Sequence, residues 1–284
     1  MTVFNLGSIN LDYFYKVPHL PKPGETLGAL SFSQGLGGKG ANQSVALARG
    51  GAEVYHIGQI HKDDEAHIAL MAQAGVDLTH IARGDVPTGH AIVVIDDASG
   101  ENQILLMAGA NHALTDSQMT KALEGAKAGD WALTQNETNL GEAFLKTAKS
   151  KGLQICYSAA PFVKDQLLAL IDDVDLLVVN EGEAAEIAAA LGKAPEAWGL
   201  PHLVVTKGAQ GAYYWGKEGA LFQPSEQVKA IDTTGAGDTY LGFLLAQLSH
   251  GASISQAMAI ASKAASIQVT RFGTADAIPA LAEL

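Results

Sequence analysis

A single cysteine, Cys156, is all the thiol this 284-residue chain carries, which excludes an internal disulfide and any multi-cysteine metal cage. It lies in the apolar run LQICYS and reads as core. Basic residues are scarce as well. Eighteen Lys and Arg against thirty Asp and Glu leave a net charge of −12, the wrong balance for a nucleic-acid backbone or an anionic membrane, both of which need a basic surface. A local pocket can still take an anionic small molecule. No stretch reaches about 18 uncharged apolar residues, the length a membrane span needs. The opening MTVFNLGSINLD has neither a basic leader nor an apolar signal block, so the expectation is a cytoplasmic protein. There is no HExxH and no GxSxG elbow to support zincin or serine-hydrolase chemistry. His61, Asp63, Asp64 and His67 form the one tight histidine group, but histidines six residues apart do not share a helix face.

What is present is a compact globular composition, 48% apolar and 17% charged, expected to fold as one α/β domain over residues 1–284. Short apolar runs alternate with amphipathic stretches, the pattern of a mostly parallel sheet between two helix layers, a three-layer sandwich. Strands are predicted at Val3 to Leu6, Glu53 to Ile57, Trp131 to Thr134, Gln154 to Tyr157, Asp175 to Val179 and Leu203 to Thr206. Helices are predicted at Ala41 to Arg49, Glu65 to Ala74, Ser117 to Ala126, Gly141 to Lys149, Glu181 to Leu191, Gly237 to Leu248 and Ile254 to Thr270. Two segments, about 12–34 and 88–107, break the alternation. They read as hairpins with turns at KPGE and DDASGE, and together as one small β-sheet lid.

Three stretches carry chemistry. QGLGGKGAN satisfies GxGxxG through Gly35, Gly37 and Gly40, but the following strand ends in Gln59 and Ile60 where a dinucleotide fold needs an acid for the ribose. It reads better as a polar-ligand loop, with Lys39 and Asn42 as donors at a helix start. GAYYWGK has the spacing of a Walker A loop, yet its three aromatics cannot cradle phosphates and Glu218 stands where Ser or Thr is required, so it reads as a strand. In IDTTGAGDTYLGFLLAQL, Gly235, Ala236 and Gly237 open an amphipathic helix whose free amides form an anion nest. Asp238 falls in the first turn, where the helix dipole favours the ionised form of a proton acceptor; the plain alternative is an ordinary N-cap. Asn10, Asp12 and Glu137 follow strands, where ligands of open sheets bind and where turn chemistry is also common. In NEGEAAE, Asn180 and Glu183 could hold phosphate-bound magnesium through water, or simply complement a helix dipole.

Taken together, GSINLD, GGKGANQSVALAR, NEGEAAE, VVTKGAQGAYY and DTTGAGDTYLGFL resemble the ribokinase-like, phosphofructokinase-B type family of carbohydrate kinases, in order and over nearly the whole chain. PGET, AGANHAL and VTRFG lean toward its ribose-phosphorylating members. The resemblance implies ATP-dependent phosphorylation of a sugar hydroxyl, ribose to ribose 5-phosphate; fructose, a ketodeoxy-sugar or a nucleoside would use the same machinery, and Tyr13, Tyr15 or Phe32 could stack on a nucleobase. It implies Asp238 as base, an anion hole at Gly235, Ala236 and Gly237, and a sugar site at Asn10, Asp12, Gly38, Lys39, Asn42 and Glu137. ATP would lie along Asn180, Thr206 and Gly208, with Glu183 near magnesium and a potassium site at Asp232, Thr234, Gln268 and Gly273. Ala277 stands where a serine is common beside that ion, and Leu191 to Leu203 is short for the helix that longer relatives carry. A homodimer through the lid is the implied assembly.

Overall fold

The computed structural model describes residues 1–284. Its strands are β1 (Val3–Leu6), β2 (Asn10–Val17), β3 (Ser31–Gly37), β4 (Val54–His61), β5 (Ile81–Gly84), β6 (Gly89–Asp96), β7 (Asn102–Met107), β8 (Trp131–Gln135), β9 (Gln154–Ser158), β10 (Leu176–Asn180), β11 (His202–Thr206), β12 (Ala212–Gly216) and β13 (Gly219–Gln223). The helices are α1 (Lys39–Arg49), α2 (Ala69–Ala74), α3 (Asp116–Ala122), α4 (Gly141–Ser150), α5 (Lys164–Leu170), α6 (Glu181–Leu191), α7 (Ala236–Ser249) and α8 (Ile254–Gln268).

Nine strands form the main sheet in the order β13-β12-β11-β10-β9-β8-β1-β4-β5. Pairing is parallel from β5 to β11, and the β11–β12 and β12–β13 pairings at the far edge are antiparallel. Every residue of β1 and β8 is buried, as central parallel strands covered on both faces must be. One face packs on α1, α2, α7 and α8, the other on α3 to α6. No helix is long and apolar enough to cross a membrane. The stretches read as hairpins form a second sheet, β3-β2-β6-β7. Its strands reach further inward than the sequence suggests, because β2 starts at Asn10 and β3 runs on to Gly37.

Three helices are shorter than their periodicity predicts. The Glu65 to Ala74 stretch divides into a 3₁₀ turn, Glu65–Ile68, and α2; α3 gives way to another 3₁₀ turn at Leu123–Gly125; α8 stops at Gln268. The short edge strand β5, the seven-residue α5 and the strand β13 have too few residues to show a period. GAYYWGK does form a strand, β12, and Cys156 is fully buried.

The chain builds β1, β4 and β5 outward in one direction, then returns to β8 beside β1 and builds the other way. That reversal opens a crevice at the carboxyl ends of β1 and β8, where open α/β sheets bind ligands. Helix α7 follows the far-edge strand β13 but lies back over the centre against α1. The approach is close: a Cβ on Gly242 would lie 2.3 Å from that of Ala46, so no larger residue fits. We expect Gly242→Ala to cost about 1–3 kcal/mol through overpacking, read as a fall of several degrees in Tm. An unchanged Tm would mean that the two helices have room to spare.

Candidate active site

The N-termini of α1 and α7 meet above the crevice. In α7 the Asp238 carboxylate accepts from two side chains on the first turns of α1: Asn42 Nδ2 reaches Oδ2 at 3.0 Å, and Gln43 Nε2 reaches Oδ1 at 2.9 Å. Gly235 caps α7 in a left-handed conformation (φ 76°) with no side chain closing the helix end. Ala236 N–H donates to Thr233 O at 3.2 Å, whereas the amides of Gly235, Gly237 and Asp238 donate to no acceptor within the chain. Burial pushes the Asp238 pKa from 3.8 up to about 6, against the opposing pull of Lys39 and of the two carboxamides, with Glu137 adding to the rise. Burial therefore overrides the dipole effect that the sequence suggests. The result is a carboxyl titrating close to neutrality, the range in which a proton acceptor works efficiently.

Across the crevice, Lys39 Nζ pairs with Glu137 Oε1 at 3.0 Å, and the Lys39 backbone N–H donates to Oε2 at 3.1 Å. Burial works against the Lys39 charge, but Glu137 and Asp238 outweigh it and raise its pKa. Ser8 Oγ donates to the same Glu137 carboxylate and accepts from Gly40 N–H. Asp12 hangs over Gly37, where a Cβ would overlap its carboxylate; burial, then Glu137, raise its pKa to about 6, and Lys39 opposes them. Asn10 Oδ1 accepts from Asn111 Nδ2 at 2.8 Å, so its own amide group points onward without an acceptor in the chain.

Two cavities join at the start of α7. The smaller, about 200 Å³, is lined by Lys39, Gln43, Glu183 and Asp238; the larger, about 640 Å³, by Gly208, Val228, Ser262 and Val269. Asn180, Thr206, Thr233, Ala236 and Gly237 border both. A wide cleft leads to a narrow one past an open helix end, with the Asp238 carboxylate on the wall of the narrow one. That arrangement suits an anion passed from a large ligand to a small one.

The sequence pattern of the pfkB family carbohydrate kinases matches residues 2–281. The chain belongs to this family of carbohydrate kinases. A ribokinase of Haemophilus influenzae is 36% identical over 296 aligned residues, covering 98% of this chain and 95% of its own. Two solved structures superpose over 99% of the chain with a TM-score of 0.85: a ribokinase from Cryptococcus neoformans in complex with ADP (29% identical, 98% of that chain) and one from Arabidopsis thaliana complexed with ribose and ATP (26%, 96% of that chain).

Most residues anticipated for this carbohydrate kinase converge. Lys39 and the Gly235 to Asp238 turn line the small cavity, with Asn180, Thr206 and Gly208 along the large one; Glu137 and Asn42 stand behind that lining, bonded to Lys39 and Asp238, and Asp12 lies against Gly37, next to Gly38. Asn180 and Glu183 also satisfy the plainer reading. They form a reciprocal capping box on α6, in which Glu183 N–H donates to Asn180 Oδ1 and Asn180 N–H to Glu183 Oε2, both at 2.8 Å. Asp232, Thr234, Gln268 and Gly273 form a knot: Thr234 and Gly273 amides donate to the Asp232 carboxylate, and Gln268 Nε2 to Thr234 O. Tyr13 and Tyr15 do not reach the pocket. Alternation along β2 puts them opposite Asp12, where Tyr13 stacks on Phe32 and Tyr15 meets the same ring at a tilt. Missed altogether were Gln43, Ser8 and Asn111. The signal for Gln43 was available, since positions 39, 42 and 43 share one helix face.

Asp238→Asn is expected to lower kcat by about 10² to 10⁴, the usual worth of a general base. The raised pKa has a second consequence. Between pH 3.8 and about 6 the folded chain holds a proton that the unfolded chain has lost, so ionised Asp238 costs up to about 3 kcal/mol of stability at higher pH. Relative to wild type, the variant's Tm should therefore improve as pH rises from about 4.5 to 7.5. A Tm difference independent of pH would contradict the shifted pKa.

Proposed function

We propose that this kinase transfers the γ-phosphoryl group of ATP to the primary hydroxyl of ribose, giving ribose 5-phosphate and ADP, in the cytoplasm. The observation that carries the reading is the Asp238 carboxylate, held by two carboxamides beside three free amides where the two cavities meet. The ribokinases among its relatives supply the acceptor. ATP lies in the larger cavity against Asn180, Thr206 and Gly208. Ribose lies alongside the smaller one, against Asn10, Asp12, Gly38, Lys39, Asn42 and Glu137, of which Lys39 borders that cavity. Asp238 takes the hydroxyl proton as the oxygen attacks the γ-phosphorus, and the bond to ADP breaks with its electron pair leaving on the β-phosphate oxygen. The amides of Gly235, Gly237 and Asp238 stabilise the charge on the phosphoryl oxygens during transfer. Lys39 adds positive charge from the opposite wall.

Magnesium fits near Glu183, whose Oε2 is engaged by the Asn180 amide while Oε1 has no partner in the chain; the ion would neutralise phosphate charge, with Glu183 and Asn180 holding it through water. The knot around Asp232 is rich in oxygen and includes Gln268 Oε1, buried and without a donor, which suits a potassium ion held by Asp232, Thr234, Gln268 and Gly273. The small sheet acts as a lid that excludes water from the transfer. Its outer face carries Tyr13, Tyr15 and Phe32, and its edge strand β7 exposes Ile104, Leu105, Leu106 and Met107 by 57–69%. A lid-to-lid homodimer covers this surface.

A coupled ADP-release assay across pentoses, hexoses and nucleosides tests the acceptor, and ribose is expected to give the highest kcat/KM. A tenfold preference for fructose or a nucleoside would overturn the assignment, and equal rates in potassium and sodium would remove the potassium site. For the assembly, sedimentation velocity should show a two-chain species that Leu105→Lys dissociates. A wild-type monomer at about 10 μM would end the dimer proposal.

A further inference from the structure

Behind Asp238 the sheet contains a line of buried polar side chains that the transfer chemistry does not use. Asn5 and Gln135 sit on the adjoining strands β1 and β8, Ser44 and Gln43 on α1, and His56 on β4, and none is more than 1% exposed. Five polar side chains in a dry core are costly unless their hydrogen bonds are made, and here they are made in series, with Gln135 Oε1 alone left without a donor. Gln43 Nε2 donates to Asp238 Oδ1 at 2.9 Å, and more weakly to Ser158 Oγ at 3.4 Å. Gln135 Nε2 donates to Gln43 Oε1 at 2.7 Å and to Asn5 Oδ1 at 3.0 Å. Asn5 Nδ2 donates to Gly40 O at 2.9 Å and Ser44 Oγ at 2.8 Å. Ser44 Oγ meets His56 Nδ1 at 2.9 Å, and His56 Nε2 meets Gly7 O at 3.1 Å.

The direction of every bond is forced. A backbone carbonyl can only accept, so His56 Nε2 carries the hydrogen for Gly7 O, and Asn5 must present Nδ2 to Gly40 O. Burial pushes the His56 pKa down to about 4, so the ring is neutral and Nδ1 accepts from Ser44. Asn5 then has only Oδ1 to offer Gln135, which must answer with Nε2. The second hydrogen of that group fixes Gln43 Oε1 inward and its Nε2 toward Asp238. A rotated Gln43 would set oxygen against carboxylate and amide against amide.

We infer that Gln43 is a positioning residue for phosphoryl transfer, its carboxamide held donor-outward against the Asp238 carboxylate by a one-way hydrogen-bond line that starts at the Gly7 and Gly40 carbonyls and runs through His56, Ser44, Asn5 and Gln135. The inference rests on Asp238 as base, not on ribose as acceptor. Because Gln43 can only donate, it holds Oδ1 in place and leaves the attacking hydroxyl to the lone pairs that Gln43 and Asn42 do not occupy. It also favours the ionised base against burial. The charged groups facing Asp238 are Lys39 from α1, Glu137 after β8 and Glu183 from α6, with Asp12 beyond Lys39. Substituting Gln43 leaves all of them in place.

The experiment compares Gln43→Met and Gln135→Met with wild type. Both substitutions keep volume and remove the donors. For Gln43→Met, kcat should fall about 10- to 100-fold with both KM values within about threefold, and the acid limb of the kcat–pH profile should move up by about one to two pH units, the worth of a hydrogen bond to a charged group. Gln135→Met should move the limb in the same direction by less. Titrating the Asp238 carboxyl by ¹³C NMR, assigned through Asp238→Asn, must show the same shifts, and it reads correctly whatever sugar is accepted. If Gln43→Met does not fold, the wild-type carboxamide signals of Gln43 and Gln135 should still titrate with the Asp238 midpoint. An unshifted Asp238 titration in either variant, a loss confined to Tm, or wild-type carboxamide signals that stay flat between about pH 5 and 7 would overturn the proposal.

Discussion

The contact on which the site depends is the one between the first turns of α1 and α7. Asp238 is useful only if its carboxylate is held at the mouth of the small cavity, and the groups that hold it, Asn42 and Gln43, belong to a helix almost two hundred residues earlier in the chain. That contact exists because Gly242 lets α7 settle against Ala46 without a side chain between them. The fold's route matters equally. Helix α7 leaves an antiparallel edge strand, yet it returns to the centre of the sheet, above the strand-order reversal where β1 and β8 deliver Asn10 and Glu137.

Electrostatics at this contact sets burial against nearby charge and hydrogen bonding, and burial prevails. A first-turn aspartate ordinarily gains from the helix dipole and titrates low. Here burial exceeds the dipole, and the carboxyl rises to about 6. Asp12 reaches the same value by a different route, burial with Glu137 as the second cause. Lys39 opposes both rises, so one ammonium keeps two carboxyls near neutrality and is itself held protonated by Glu137 and Asp238. A chain with a net charge of −12 has thus placed one half-buried cation between two of its buried carboxyls.

The sheet, both helix layers and the second small sheet were legible because parallel strands are apolar runs and helices keep a 3.6-residue period. The Gly235 to Asp238 turn was legible because glycines flanking a small residue before an amphipathic helix have few purely structural uses. What escaped the sequence needed three-dimensional register. Tyr13 and Tyr15 were candidates for the pocket until alternation from Asp12 turned them to the other face. Gln135 and Asn5 looked like polar residues at unremarked positions of apolar strands. Nothing local says that a strand glutamine answers a helix glutamine 92 positions away. Glu65 to Ala74 has helical periodicity throughout, but the chain tightens into a 3₁₀ turn before it settles.

Helices α2, α4 and α5 start at apolar residues with no capping side chain, and the other five divide into two kinds. Helices α3, α6 and α8 are closed by Thr115, Asn180 and Ser253, and in each the third residue after the cap, Gln118, Glu183 or Gln256, folds back onto the cap amide. Helices α1 and α7 begin instead at Gly38 and Gly235, both with positive φ and no side chain to accept from the first turn. Asp238 occupies in α7 the same third position, but it turns outward to Asn42 and Gln43 rather than back over its own helix. Had residue 235 been a serine, reciprocal capping would have competed for that carboxylate and filled the amides that an anion needs. The glycine cap thus leaves two things free at once, the amide donors at the helix start and the orientation of the Asp238 carboxylate. Helix α6 shows the intermediate case. Its box is closed, which fixes Glu183, but only one carboxylate oxygen is used in closing it, so a group that stabilises the helix keeps an oxygen turned toward the cleft.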